Sequence, residues 1–243
     1  MSEESQKRVL LVLGIAFTTV FCLAPFFYML LTGLNKHPDF LREGKSLELT
    51  LTHFKTVIFS DQVHFLAYMR NSIVISAVSA TVTVFIASLA AYALTRLELP
   101  FRRFIMVFVL AISMFPPIAL VGYLHKFMSM GWLPWMDTWI NTYQALILPY
   151  VAWTLPLSLW ILVSYFEQVP LELDKAGIID GASRLQILIK IILPVAAPGV
   201  FSTALLAFIF AFNEFLFALM LTTDYSARTI PVGIAMFQGL HGQ

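Results

Sequence analysis

The chain has 243 residues, 59% of them hydrophobic and only 12% charged, with a formal net charge of +1. A soluble domain carries about 25% charged residues, so this composition points to lipid as the main solvent. The near-neutral balance leaves no basic stripe once the loops are counted, which excludes a nucleic-acid surface.

Five uncharged runs follow in chain order: 9–34, 71–95, 104–124, 138–166, and a fifth from 191 to 213 that continues past one Glu to 223. A helix needs about 20 residues to cross the hydrocarbon, so each is long enough. The expected spans are about 9–34, 71–95, 104–124, 140–164 and 196–222. A barrel would show ~10-residue alternating segments instead. The first run is too long for a signal-peptide core and has no small-residue cleavage site, so it reads as an uncleaved anchor. Its Cys22, alone in the chain, reads as packing rather than as a reactive thiol. Prolines interrupt the later spans: Pro116 and Pro117 in the third, Pro149 and Pro156 in the fourth. Each removes a backbone donor and is expected to kink or break its helix. Packing kinks and a direct ligand role both remain open for them.

Flanking charges give an orientation. With the N-terminus inside, the inner segments hold eight Lys and Arg in 40 residues, and the outer segments seven in 69. The bias favours a cytoplasmic N-terminus. It places loops 35–70, 125–139 and 223–243 outside and a segment of about 168–194 in the cytoplasm.

That segment is the longest of the inward polar ones. Pro170 suits a helix start, with Glu172 and Asp174 where the dipole favours acids. Leu173, Ala176, Gly177 and Asp180 share one face, which is mostly small and lets a partner helix or groove approach closely. Gly181 permits a left-handed turn, and Ser183 is an expected N-cap for a second helix running towards Pro194 and Pro198. A surface helix on the headgroups would show a strongly apolar face and a basic one; the first helix has neither. A docking knob for a cytoplasmic partner explains the small face better.

The stretch "VPLELDKAGIIDGASRLQILIKIILPVAAPG" resembles the EAA motif of bacterial and archaeal ABC importer permeases. Pro170, Glu172, Leu173, Ala176, Asp180, Gly181, Ala182, Ile191, Leu193, Pro194 and Pro198 match in register; Lys175 stands for the usual Glu and Gly177 for the second Ala. The blocks "NSIVISAVSATVTVFIASLAAYALTRLELPFRR", "MFPP", "LILPYVAWTLPLSLWIL", "FIFAFNEFLFALMLTTD" and "TIPVGIAMF" are similar, in order, to the carbohydrate permeases of the maltose and trehalose type.

The resemblance implies an all-α integral membrane protein with the type I ABC importer transmembrane fold, in a bacterial or archaeal cell membrane. It implies a second permease subunit, two ATPase subunits and an extracytoplasmic sugar-binding protein as partners, besides membrane lipid. The segment Glu172, Leu173, Asp174, Lys175, Ala176, Gly177, Asp180, Gly181, Ala182 and Pro194 would couple to the ATPase. No cofactor is expected on this chain: ATP and Mg would be used by the partner ATPase, and no phosphate-binding Gly loop followed by Lys and Ser or Thr occurs here. The family ends with one more membrane helix, so the resemblance predicts five spans here with a sixth C-terminal span missing.

Asn213 and Glu214 lie inside the fifth run. An acid at the membrane centre costs about 2.5–3.5 kcal/mol, so Glu214 is expected to face protein, a partner subunit or water. With Phe212 and Phe215 it offers acceptors and aromatic walls to a saccharide path; an interhelical bond holding two permeases together is the equal alternative. Two other classes fit worse. An embedded enzyme needs a nucleophile and base or a metal set, and His37, His53, His64, His125 and His241 lie in expected loops or at a span edge without ligand spacing. An ion-driven secondary transporter needs charges inside several spans, and only Glu214 qualifies.

Overall fold

The computed structural model describes residues 3–36, 48–60, 63–130 and 138–241. Among them all regular structure is helical, apart from one antiparallel bridge between Asn35 and Leu49. The chain divides into two compact units, Met1–Phe65 and Leu66–Gln243.

In the first unit α1 (Glu3–Leu34) runs unbroken through Pro25. Thr18 and Thr32 donate to the carbonyls of Gly14 and Tyr28, so both hydroxyls are satisfied within the helix. The most apolar window of α1 buries no residue, the condition of a helix whose solvent is lipid. A short helix α2 (Thr52–Phe59) follows and carries His53. Its Phe54 packs on Gly33, 3.3 Å from where a Cβ would stand.

The second unit takes in α3 (Phe65–Arg96) from its second residue on, followed by α4 (Arg102–Ser113) and α5 (Pro117–Ser129). The long α6 (Tyr143–Gln168) leads into α7 (Leu171–Ile179) and then α8 (Arg184–Val195). The chain continues as α9 (Ala197–Phe212), α10 (Leu216–Leu221) and α11 (Ile230–His241). Helices α1, α3 and α6 are each long and apolar enough to cross a membrane, and up to five spans result if each bent helix pair counts as one. This is a multi-pass arrangement.

The prolines act unequally. The expected third span, 104–124, is two helices, α4 and α5, meeting at 83°. Pro116 is extended, with ψ 126°, because the following Pro117 disfavours the helical conformation; Pro117 itself opens α5, where its missing donor costs nothing. Pro149 and Pro156, by contrast, lie inside an unbroken α6. The expected fifth span, 196–222, is also divided, with α9 and α10 separated at Asn213–Phe215. The stretch 223–243, expected as an outer loop, holds α11. Its run from Ile230 to Phe237 is apolar and Pro231 sits in the first turn, a position where proline favours helix. His125 lies in α5 rather than in a loop and binds the Met220 carbonyl through Nδ1 at 2.8 Å.

Two apolar cores stabilise this unit. One gathers Tyr92 and Leu94 of α3, Leu162 and Phe166 of α6, and Ile187 and Ile192 of α8. The other gathers Ile75 of α3, Leu146 and Tyr150 of α6, Phe217 of α10 and Val232 of α11. Between them Thr83 of α3 and Thr154 of α6 share a buried hydrogen bond of 2.9 Å. In lipid, where apolar contact between helices gains little, such a bond contributes about 0.6–2 kcal/mol.

Candidate functional site

The polar segment singled out in the sequence folds as α7, a tight turn and α8. Pro170 precedes the first residue of α7, and Glu172 and Asp174 fall in its first turn. The helix stops at a Schellman motif: Gly181 has φ +80°, its N–H donates to the Ile178 carbonyl at 3.0 Å, and the Ala182 N–H donates to the Gly177 carbonyl at 2.9 Å. Ser183 then caps α8 in a reciprocal capping box with Gln186. Within α8 residues Leu188–Ile192 form one π turn. It lies just ahead of Pro194, which has no N–H to give to the preceding turn. Pro194 is therefore inside α8, and the chain bends by 86° at Ala196 before α9.

The side of α7 that turns outward is not the small face as a whole. Gly177 and Asp174 are buried and Leu173 is half-buried, packed against the core. A Cβ on Gly177 would stand 3.0 Å from Ile187 and 3.1 Å from Ile191. The small face thus admits this chain's own α8. The face shared by Leu173 and Gly177 turns inward because it can bring two helices close and because Asp174 has a partner there. Ala176 and Asp180, expected on the same face, are exposed, as are Glu172, Lys175 and Gly181; Ala182 is half-buried and Pro194 exposed. The outward side also carries Leu171, Ile178 and Ile179, the last 85% exposed.

Asp174 forms a buried ion contact. Its Oδ2 lies 3.2 Å from Arg96 Nε at the end of α3, with the two side chains only 6% and 3% exposed. This pair is close but not aligned as a hydrogen bond, so it acts by charge. Tyr92 donates to Oδ1 at 3.3 Å. Arg96 Nη2 also donates to the carbonyls of Phe166 (3.0 Å) and Val169 (2.8 Å), capping α6. Arg102 at the start of α4 pairs with Glu167 near the end of α6. Sequence reasoning placed Asp174 among partner-facing residues and gave Arg96 and Tyr92 no role. The available signal was a lone Arg closing a long uncharged run.

The opposite end of α3 has its own polar knot. Asn71 Nδ2 donates to the carbonyls of Tyr225 (2.9 Å) and Arg228 (3.0 Å), and its Oδ1 accepts from the Tyr143 hydroxyl (2.5 Å). Ser72 Oγ accepts from the Ile230 N–H at 2.8 Å. Asn141, in the left-handed conformation with φ +64°, accepts from the N–H groups of Thr223 and Asp224 and donates to Ser226 Oγ. These bonds fix residues 222–230 against α3 and the start of α6. The Asn141 side chain first, and the Ser226 backbone and hydroxyl next, hold the Asp224 carboxyl at about 2, below its ordinary 3.8.

Asn213, Glu214 and Phe215 form the break between α9 and α10 rather than lying inside a helix, and Phe212 ends α9 beside them. Glu214 accepts the N–H groups of Phe217 (2.9 Å) and Ala218 (3.2 Å), so its carboxylate satisfies the opened first turn of α10. Asn213 donates to the Ile209 carbonyl at 2.8 Å and is exposed, as is Phe215; Phe212 is half-buried and stacks on Phe208. A groove of about 490 Å³ lies beside this break, walled by Tyr123, Phe127, Trp153 and Phe217 and lined by none of the four.

The family of binding-protein-dependent transport system inner membrane components matches residues 83–239 of this chain. The trehalose/maltose transport system permease protein MalG of Thermococcus litoralis is 53% identical over 247 residues, covering 100% of this chain and 86% of that protein. The trehalose transport system permease protein SugB of Mycobacterium tuberculosis is 39% identical over 201 residues, covering 82% of this chain and 70% of its own length. A chain from the crystal structure of a bacterial ABC transporter involved in the import of the acidic polysaccharide alginate aligns with 99% of this chain and 82% of its own. Its TM-score is 0.79 at 16% identity, a likeness of fold.

Proposed function

We infer how this chain works from what it is: it belongs to the family of binding-protein-dependent transport system inner membrane components, with the type I ABC importer permease fold, and is a membrane permease subunit for sugar import. Such a permease works with a partner permease, an ATPase and a substrate-binding protein. Its own task is passage through the membrane, so ATP and Mg belong to the ATPase.

In this reading α7 is the contact with the ATPase. The observation that carries it is the outward side of that helix: Leu171, Ile178 and Ile179 stand exposed among Glu172, Lys175, Ala176 and Asp180, while the opposite side is anchored by Asp174 and Gly177. An isoleucine as open as Ile179, at the end of a polar segment, is the kind of anchor that fills a pocket in a partner. The second permease carries the matching contact for a second ATPase subunit. The N-terminus lies in the cytoplasm, as the basic flanks favour, and this puts α7 on the ATPase side and the Asn71 knot on the side of the sugar-binding protein. Cysteine crosslinking from Ile179→Cys in the assembled transporter tests the contact. Capture of the ATPase is expected; an intact complex that never yields that crosslink would refute it.

The sugar path runs past the α9–α10 break. Asn213 and Phe215 are exposed there and offer an amide and an aromatic face, the pairing saccharides use, with Phe212 behind them. Glu214 serves this site by holding the break open, since both of its oxygens accept backbone N–H groups. Asn213→Ala is expected to lower uptake of the sugar without loss of the assembled complex. Uptake unchanged by that substitution would move the path elsewhere.

A further inference from the structure

The connection between α6 and α7 is only Val169 and Pro170, both extended, with ψ 124° and 136°. Left alone, such a link is a hinge: rotation there would let α7 tilt while the membrane helices stayed still. Arg96 bridges it. On the near side its Nη2 donates to the carbonyls of Phe166 and Val169 at 3.0 and 2.8 Å. On the far side its Nε stands 3.2 Å from Asp174 Oδ2, and Tyr92, one turn back on α3, donates to the other carboxylate oxygen. Both charged side chains are more than nine-tenths buried.

We propose that Arg96 is the positioning residue for energy coupling: with Asp174 it welds α7 to α3 and α6, so that a push on α7 turns the spans instead of flexing the Val169–Pro170 link. The inference rests on the reading of α7 as the ATPase contact. Only arginine suits this position, because one planar fork must reach two carbonyls and a carboxylate at once, whereas lysine presents a single nitrogen. A buried charge pair is a poor source of net stability, and its best-attested use is to enforce one arrangement over others. Gly177, seated on Ile187 and Ile191, brings α8 into the same rigid body.

The test uses the complete transporter in proteoliposomes, with its binding protein and sugar, and reads sugar moved per ATP hydrolysed. Asp174→Asn keeps the shape of the side chain and removes its charge. It and Arg96→Gln are expected to retain the Ile179→Cys crosslink to the ATPase and to keep hydrolysing ATP, while sugar per ATP falls about fivefold or more, the lower range of ordinary coupling between sites. The double variant should fall no further than the worse single one, and Arg96→Lys should lie between wild type and Arg96→Gln. A merely structural role would lower transport and hydrolysis together at an unchanged ratio, and that result overturns the proposal. So does failure of Asp174→Asn to assemble. Absence of the crosslink in the otherwise unaltered Ile179→Cys transporter removes the reading of α7 and this proposal with it, whereas a retained crosslink with an unchanged ratio removes the proposal alone.

Discussion

Tyr165 of α6 lies directly over Gly199 of α9, so close that a Cβ on the glycine would stand 2.2 Å from the ring's Cγ. One turn on, buried Thr203 returns its hydroxyl to the Gly199 carbonyl at 2.8 Å and keeps that surface smooth. Close approach through small residues is what holds helices together in lipid. Gly199→Ala should therefore separate α6 and α9 and destabilise the protein by about 1–3 kcal/mol, as overpacking does. Thermal unfolding of the purified transporter in detergent checks this; an unaltered midpoint would mean the ring yields freely.

Gly177 gives a graded case. The atoms nearest a Cβ there belong to side chains, Ile187 Cγ1 at 3.0 Å and Ile191 Cδ1 at 3.1 Å, and need give by only a few tenths of an ångström. Gly177→Ala should leave uptake near wild type. Gly177→Leu has no such room and should cost about 1–3 kcal/mol, seen as a lower steady-state level of the complex in the membrane. Equal levels for both variants would contradict the close seating of α7 on α8.

Asn71→Ala removes two donors and an acceptor from a part-buried knot, leaving the carbonyls of Tyr225 and Arg228 and the Tyr143 hydroxyl without that partner. A fully buried group so stranded costs about 1–3 kcal/mol, and these half-buried ones cost less. Hydrogen exchange across 222–230 should quicken while α7 and α8 keep their protection. Asn71→Asp should not restore the protection, because a carboxylate accepts but cannot donate to carbonyls. Slow exchange in the Asp variant would refute the assigned bonds.

The Asp224 carboxyl titrates at about 2 in the folded chain instead of 3.8. A depressed folded value stabilises the protein above the unfolded one, and that stabilisation fades as pH falls from 3.8 towards 2. Wild type should lose thermal stability over this window, and Asp224→Asn, which cannot titrate, should lose less. Parallel losses in the two proteins would show that the carboxylate contributes nothing to the loop.

Much of this was readable in the residues and some was not. The Ser183 cap, the left-handed Gly181 and the opening at Pro116 depend on neighbours in sequence, and local chemistry announces them. The direction in which α7 faces does not. Periodicity shows that Leu173, Ala176, Gly177 and Asp180 are near one another on the helix, but a nine-residue helix of mixed character leaves undecided which side turns inward. Asp174 decides it, through Arg96, a residue far away along the chain. Glu214 illustrates a different gap. It reads as a charge inside a span, yet the span is broken at that residue, and the carboxylate answers the exposed amides that the break creates.

Helix α3 holds Asn71 and Ser72 near one end and Tyr92 and Arg96 at the other, with neither glycine nor proline in its 32 residues. At ~1.5 Å per residue it is ~48 Å long, more than the ~30 Å of hydrocarbon. It is thus a strut fastened at both tips, one to the loop between α10 and α11 and one to α7. An unbroken helix of that length bends little, so a displacement entering at either tip is expected to reach the other, and the two polar knots keep a common posture.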